Sequence, residues 1–285
     1  MLKSILASLT GFGSDRTVLD AAFALAGLDE GHVAAIHTRI DPGEAGMALN
    51  VMEPQLRGEL LDAMQRIARE EEERSGQARI AFTDACKAHG TSGQDAIASF
   101  REITSFENET LHQARLHDIV VMARVPELAS ERLHTMVMLA GKPVLVPPHR
   151  PVQAIGGTVA IAWKDGAEAA RAITAALPVL EHARQVIVIT IAEDAAVTDT
   201  DTPTGRASAE GVMALLKRHG VEVQLESGTD RAAPAADAIR EICYAKDADL
   251  LVAGAYGHSR MREMIFGGVT RSLLKNCDIP VLMVH

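Results

Sequence analysis

Apolar positions along this chain fall into short continuous runs separated by helical stripes. The second half shows it most clearly. Val159 to Trp163 is an apolar run of the kind a strand buried on both faces carries. From Glu168 to about Leu177, residues Ala169, Ala172, Ile173, Ala176 and Leu177 share one helical face, and Pro178 is expected to end or bend that helix. Val186 to Ile191, reading VIVITI, is rich in β-branched residues and predicts a strand. A helix from about Ser208 to His219 carries Val212, Leu215 and Leu216 and is capped by Gly220, and Val221 to Leu225 alternates as an outer strand. Pro234 suits the first turn of a further helix with Ile239, Ile242 and Cys243 inward. Leu250 to Ala253 is a buried strand, and a helix follows with Val269, Leu273 and Cys277 at helical spacing. A last strand runs from Pro280 to Val284.

The first half repeats the unit in worn form. Lys3 to Ser8 answers to Gly157 to Ala162, His117 to Met122 to Ala248 to Ala253, and Lys142 to Pro147 to Ile279 to Val284. A helix over Thr17 to about Leu28 and a strand over His32 to about Ile40 are readable. A longer insertion, Asp41 to Gly90, then holds a helix from Pro54 to about Arg74. In it Leu60, Leu61, Met64 and Ile67 read as inward and the run Glu70 to Glu73 as a solvated outer face. Pro147 to Gly157 is rich in Pro and Gly and reads as a linker, so the expected units are residues 1–148 and 156–285. Strands alternating with helices predict an α/β fold. Each unit is then a Rossmann-like, mostly parallel five-stranded sheet with helices on both faces. The last strands, Lys142–Pro147 and Ile279–Val284, are expected to pair with each other and hide two sheet edges.

Composition narrows the function. Apolar residues make up 47% and charged residues 23%, as in globular proteins, and no apolar run approaches the ~18 residues needed to span a bilayer. The N-terminal stretch MLKSILASLTGFGSD reads as a first strand and not as a signal peptide. A net charge of −10 argues against nucleic acid as a partner, because that needs a basic face. Cys86, Cys243 and Cys277 are far apart and odd in number, which fits a reducing cytoplasm. His112 and His117 lie five apart and do not share a helix face well, so no metal site is expected.

The candidate chemistry lies between the last two strands. Gly254 and Gly257 follow the buried run, His258, Arg260 and Arg262 sit in the next loop, and Gly267, Gly268, Val269 and Thr270 open the final helix. Glycines admit close backbone approach, and the free N–H groups at a helix start favour an anion. The same glycines also suit tight turns and a helix start with no ligand, and the loop cations suit plain solvation. Gly11-Phe12-Gly13 in the first half is only a partial G-x-G-x-x-G, ending on Arg16, and reads as a strand-to-helix turn.

Gly254-x2-Gly257-x9-Gly267, with Gly268, Val269 and Thr270 behind it, resembles the nucleotide-binding signature of the universal stress protein family. The resemblance implies a tandem member with the adenine-nucleotide alpha hydrolase-like fold and a role in the stress response. The second half would bind ATP, with or without Mg²⁺, or a related adenine nucleotide. Phosphate would lie on Gly254, Gly257, His258, Gly267, Gly268, Val269 and Thr270, and the adenine side on Ala162, Lys164 and Ile191. Two positions depart from the family: Gly268 stands where Ser or Thr is usual, and Lys164 where Asp is usual, with Asp165 one residue later. Trp163 is open to a core role or to stacking on the base. The first half lacks the signature after Met122 and is expected to act as a structural partner, the chain mimicking a dimer and leaving homodimers open. Two rival readings are a scaffold that has lost nucleotide binding and a slow ATP hydrolase of the same fold. No catalytic motif is present in the sequence.

Overall fold

The computed structural model describes residues 1–39, 54–92, 97–104, 109–124, 128–152, 154–192, 203–229, 234–255 and 268–285. The first half contains β1 (Ser4–Leu9), α1 (Asp15–Asp29), β2 (His32–Arg39), α2 (Pro54–Ala88), β3 (Ala98–Thr104), α3 (Glu109–Ala114), β4 (Ile119–Met122), α4 (Leu128–Leu139) and β5 (Val144–Val146). The second contains β6 (Thr158–Ala162), α5 (Ala167–Leu180), β7 (Gln185–Ala192), α6 (Pro203–Arg218), β8 (Val223–Thr229), α7 (Ala235–Ala245), β9 (Leu250–Gly254), α8 (Gly268–Asn276) and β10 (Val281–Val284).

All these strands join one sheet of ten, in the order β3-β2-β1-β4-β5-β10-β9-β6-β7-β8. Neighbours within each half are parallel. The halves meet where β5 and β10 run antiparallel, with Leu282 opposite Leu145. Each half thus has its five-stranded, doubly wound sheet, but the two sheets are continuous. One core lies under α1, α2, α5 and α6 and a second under α3, α4, α7 and α8, and each draws residues from both halves. The apolar runs explain this: β4, β5, β9 and β10 are buried along nearly their whole length, as strands covered on both faces must be.

Two aspartates tie the repeat together. Asp249, just before β9, accepts hydrogen bonds from the backbone N–H groups of Gly156 (2.8 Å), Gly157 (2.9 Å) and Thr158 (3.2 Å). Asp118, just before β4, accepts from Lys3 (2.8 Å) and Ser4 (3.0 Å) in the same way. Each carboxylate therefore fixes the entry of the first strand of its half beside the fourth. The end of the Pro- and Gly-rich segment is consequently clamped, and Arg150 within it donates to the carbonyl of Asp278.

Three helices differ from the sequence reading. α2 runs on to Ala88, and its buried stripe is Glu71, Ser75, Ala78, Phe82, Ala85 and Cys86. Leu61 and Ile67, read as inward, are exposed, and Glu71, read as outward, is buried with Arg74 at 2.6 Å. The helix meets the core only in its second half. α5 does not stop at Pro178 but continues to Leu180, because burial of Val179 and Leu180 holds its last turn in place. In α6, Val212 and Leu216 are buried while Leu215 faces out.

Replacing Asp249 by Ala leaves three strand-entry N–H groups without their acceptor. A loss of about 2–4 kcal/mol in urea unfolding is expected, the outcome for a multiply bonded carboxylate. Cys243 and Cys277 are buried between α7 and α8, and burial, with Cys277 adding to it, pushes the Cys243 thiol up to about 12. The native protein should therefore resist thiol reagents. The unfolded chain ionises first, so stability contributed by the protonated thiol is present below pH 9 and falls as pH rises toward about 12. Alkaline unfolding followed by circular dichroism checks this, with Cys243→Ala flattening the slope.

Candidate functional site

β6 and β9 lie side by side in register, Ala162 opposite Ala253. The chain leaves β6 toward α5 on one face of the sheet, while α8 belongs to the other face. Strand order reverses at this point, the place where doubly wound sheets put their ligands, beyond the carboxyl ends of the strands. Ala162 and Ile191 pack on the face that carries α8, and β9 ends on Gly254.

Gly254 has a reason of its own to be glycine. A Cβ there would stand 2.6 Å from the backbone nitrogen of Ala169 and 2.7 Å from the carbonyl carbon of Glu168. The first turn of α5 rests directly on the end of β9, so the glycine serves packing as well as the rim. Gly268 differs: among the described residues nothing lies within 4 Å of where its Cβ would be, and it is exposed at the start of α8.

The phase of α8 corrects the sequence reading. Thr270, Leu273 and Leu274 are its buried residues, with Cys277 following, whereas Val269 is 43% exposed. Val269 therefore lies on the open side of the helix start and Thr270 turns toward the core. Lys164 and Asp165 stand exposed on the rim. Trp163 continues the β6 pairing through its N–H to the carbonyl of Ile189 (2.8 Å), packs on the core, and donates its indole N–H to Ser208 Oγ at 3.3 Å. Its place is structural. Gly257, His258, Arg260, Arg262 and Gly267 lie outside the described residues.

The equivalent rim of the first half is built shut. Ala123 follows β4 where Gly254 ends β9, and α2 crosses the turn after β1. Gly11 has φ +79°, and a Cβ on it would lie 2.4 Å from the carbonyl oxygen of Arg74. Phe12 lies under the Arg74 guanidinium, 5.1 Å from ring centroid to Cζ. The turn is held by buried Asp15, which accepts from the N–H of Thr10 (2.8 Å), the Thr10 hydroxyl (2.9 Å) and the N–H of Gly11 (2.8 Å). Burial raises the Asp15 pKa against those hydrogen bonds. Asp15 was not among the candidate residues of the sequence, and neither were Asp118 and Asp249. The signal for the last two was present, since the repeat aligned them.

Among the described residues no group of three or more His, Cys, Asp or Glu is placed to hold a metal ion. No helix among them is long and apolar enough to cross a membrane.

The model of the universal stress protein family matches residues 157–285. The second half of the chain belongs to that family. A universal stress protein from Archaeoglobus fulgidus DSM 4304 is similar over 98% of this chain and 95% of its own, at 15% identity and a TM-score of 0.65. A functionally unknown protein from Pseudomonas aeruginosa PAO1 is similar over 99% and 92%, at 15% identity and a TM-score of 0.58. Both cover the two halves together, so the first half shares the tandem fold. No curated protein matches the chain.

Gly254→Ala is expected to cost about 1–3 kcal/mol, because α5 must move off the strand end. Gly268→Ala should leave stability unchanged or raise it by less than about 1 kcal/mol, since the site is open and Ala favours helix. Paired chemical denaturation curves compare the two.

Proposed function

We propose that the second half of this universal stress protein binds ATP or a related adenine nucleotide at the carboxyl ends of β6 and β9, as a sensor in the stress response. The observation that carries this reading is the exposed start of α8, with Ala162 and Gly254 at the strand ends where the order reverses. Main-chain N–H groups of Gly268 and Val269, which as the first of α8 have no partner within the helix, would meet phosphate there, and the dipole of a nine-residue helix favours the negative charge. Gly254, Gly257 and Gly267 would complete the cradle, with His258 beside it and Thr270 supporting the helix start. Ala162 and Ile191 would border the base, and Lys164 would sit at the rim. Mg²⁺ would arrive with the phosphates it already neutralises. We place the protein in the cytoplasm, where three free, buried thiols stay reduced.

The scaffold reading rests on two particular residues. Lys164 cannot accept a hydrogen bond where the family has Asp, and Gly268 lacks the family hydroxyl. Variants at residue 268 separate the readings, because that position tolerates side chains. Gly268→Ser restores a hydroxyl and is expected to tighten ATP binding several-fold, the worth of about one hydrogen bond. Gly268→Asp puts a carboxylate at the phosphate position and should weaken binding by at least about tenfold while leaving the fold intact. Titration calorimetry with ATP and Mg²⁺ reads both. Absence of binding by the native chain and by Gly268→Ser at millimolar nucleotide would leave the scaffold reading standing.

A further inference from the structure

The two halves fill one equivalent place differently. On the face carrying α3 and α7, Ile187 of β7 lies opposite Gln224 of β8, and Ile189 opposite Glu226. In the first half the same places hold Ala34 opposite Ser99, and Ile36 opposite Arg101. Ile187 is fully buried and fills its site. Ala34 cannot, and the helix above it is shorter, six residues in α3 against eleven in α7. The result is a cleft of about 240 Å³ over Ala34, lined by His32, Ser99, Arg101, Gln113 and His117.

Its charge is also reversed. In the second half Glu226 pairs with Lys246 at 2.5 Å. Arg101 takes the place of Glu226 and forms no ion pair among the described residues. His117 stands where the second half has buried Ala248. Its Nδ1–H donates to the carbonyl of Gln113 at 2.8 Å, which leaves Nε2 as its other polar atom. His32 Nε2 lies 2.8 Å from Ser99 Oγ. None of the lining residues is acidic, in a chain of net charge −10. The nearest α3 carboxylate, Glu109, is engaged by Gln113 Nε2 at 2.8 Å.

We propose that this cleft is a second ligand site, for a small anion carrying a phosphate or carboxylate group, bound by Arg101 and His117 with His32 and Ser99 beside them. The volume lies below the ~300–1,000 Å³ of pockets for drug-sized ligands, so the ligand is small. A guanidinium matches the two oxygens of either group, and an imidazole adds a donor when protonated. The site lies on the sheet face under α3, away from the carboxyl ends of β6 and β9, and does not depend on the nucleotide reading.

The test follows the imidazole resonances of His32 and His117 by NMR at neutral pH while inorganic phosphate or, separately, succinate is added. Saturable shifts at millimolar anion are expected, and the series with the tighter curve tells phosphate from carboxylate. Ala34→Ile, which refills the cleft with the second half's residue, and Arg101→Ala should each weaken binding by at least about tenfold. Arg101 is exposed, so its variant tests the site even where Ala34→Ile perturbs the sheet. Unmoved resonances with both anions overturn the proposal, as does binding of undiminished affinity in Arg101→Ala.

Discussion

The structure depends on the antiparallel contact of two short strands, Val144–Val146 with Val281–Val284. Each ends a half and would otherwise be an open edge of unpaired N–H and C=O groups. Their side chains are almost wholly buried, so the join is sealed above and below by core as well as by hydrogen bonds. Because both cores pass through it, α1 packs in the same apolar layer as α5, and α4 in the same layer as α8. The Pro- and Gly-rich connection is therefore not a hinge. Its end is bonded to Asp249, and His182 of α5 lies 3.8 Å from Asp29 of α1 across the halves.

Against this common frame the halves diverge in a few residues. Asp118 and Asp249 keep the same strand-entry role. Ala123 replaces the glycine that lets α5 rest on β9, and Asp15 takes the corresponding helix start in the first half. α2 then covers the turn that a ligand would need. In the second half Gly268 stands exposed at the start of α8. The first half has closed its rim, yet through Ala34 it has opened a cleft on the opposite face of the sheet from α2.

Much of the fold was legible because strands buried on both faces read as unbroken apolar runs. Leu250–Ala253 is buried throughout, and Val186–Ile191 is buried as far as Ile189. Pairing of the last strands followed from the same runs at both ends of a repeat. What was not legible depended on neighbours distant in sequence. Glu71 looks solvated until the Arg74 contact and the packing of α2 on β2, β3 and the turn after β1 are known. Val269 and Thr270 differ by one position, and their facing is decided by where Leu273 and Leu274 dock. Pro178 reads as a stop, but two buried residues beyond it outweigh the lost hydrogen bond. At the candidate site the glycine spacing was readable, while the packing demand on Gly254 by α5 was not.

The antiparallel join has a directional consequence. All strands of one half point one way and all strands of the other the opposite way, so their carboxyl ends lie on opposite margins of the sheet. The long exposed arm of α2 stands at one margin, and the candidate site lies at the other. A contact made on that arm would therefore be remote from the candidate site. The molecule is bipolar, with a helical arm at one end and the candidate site at the other.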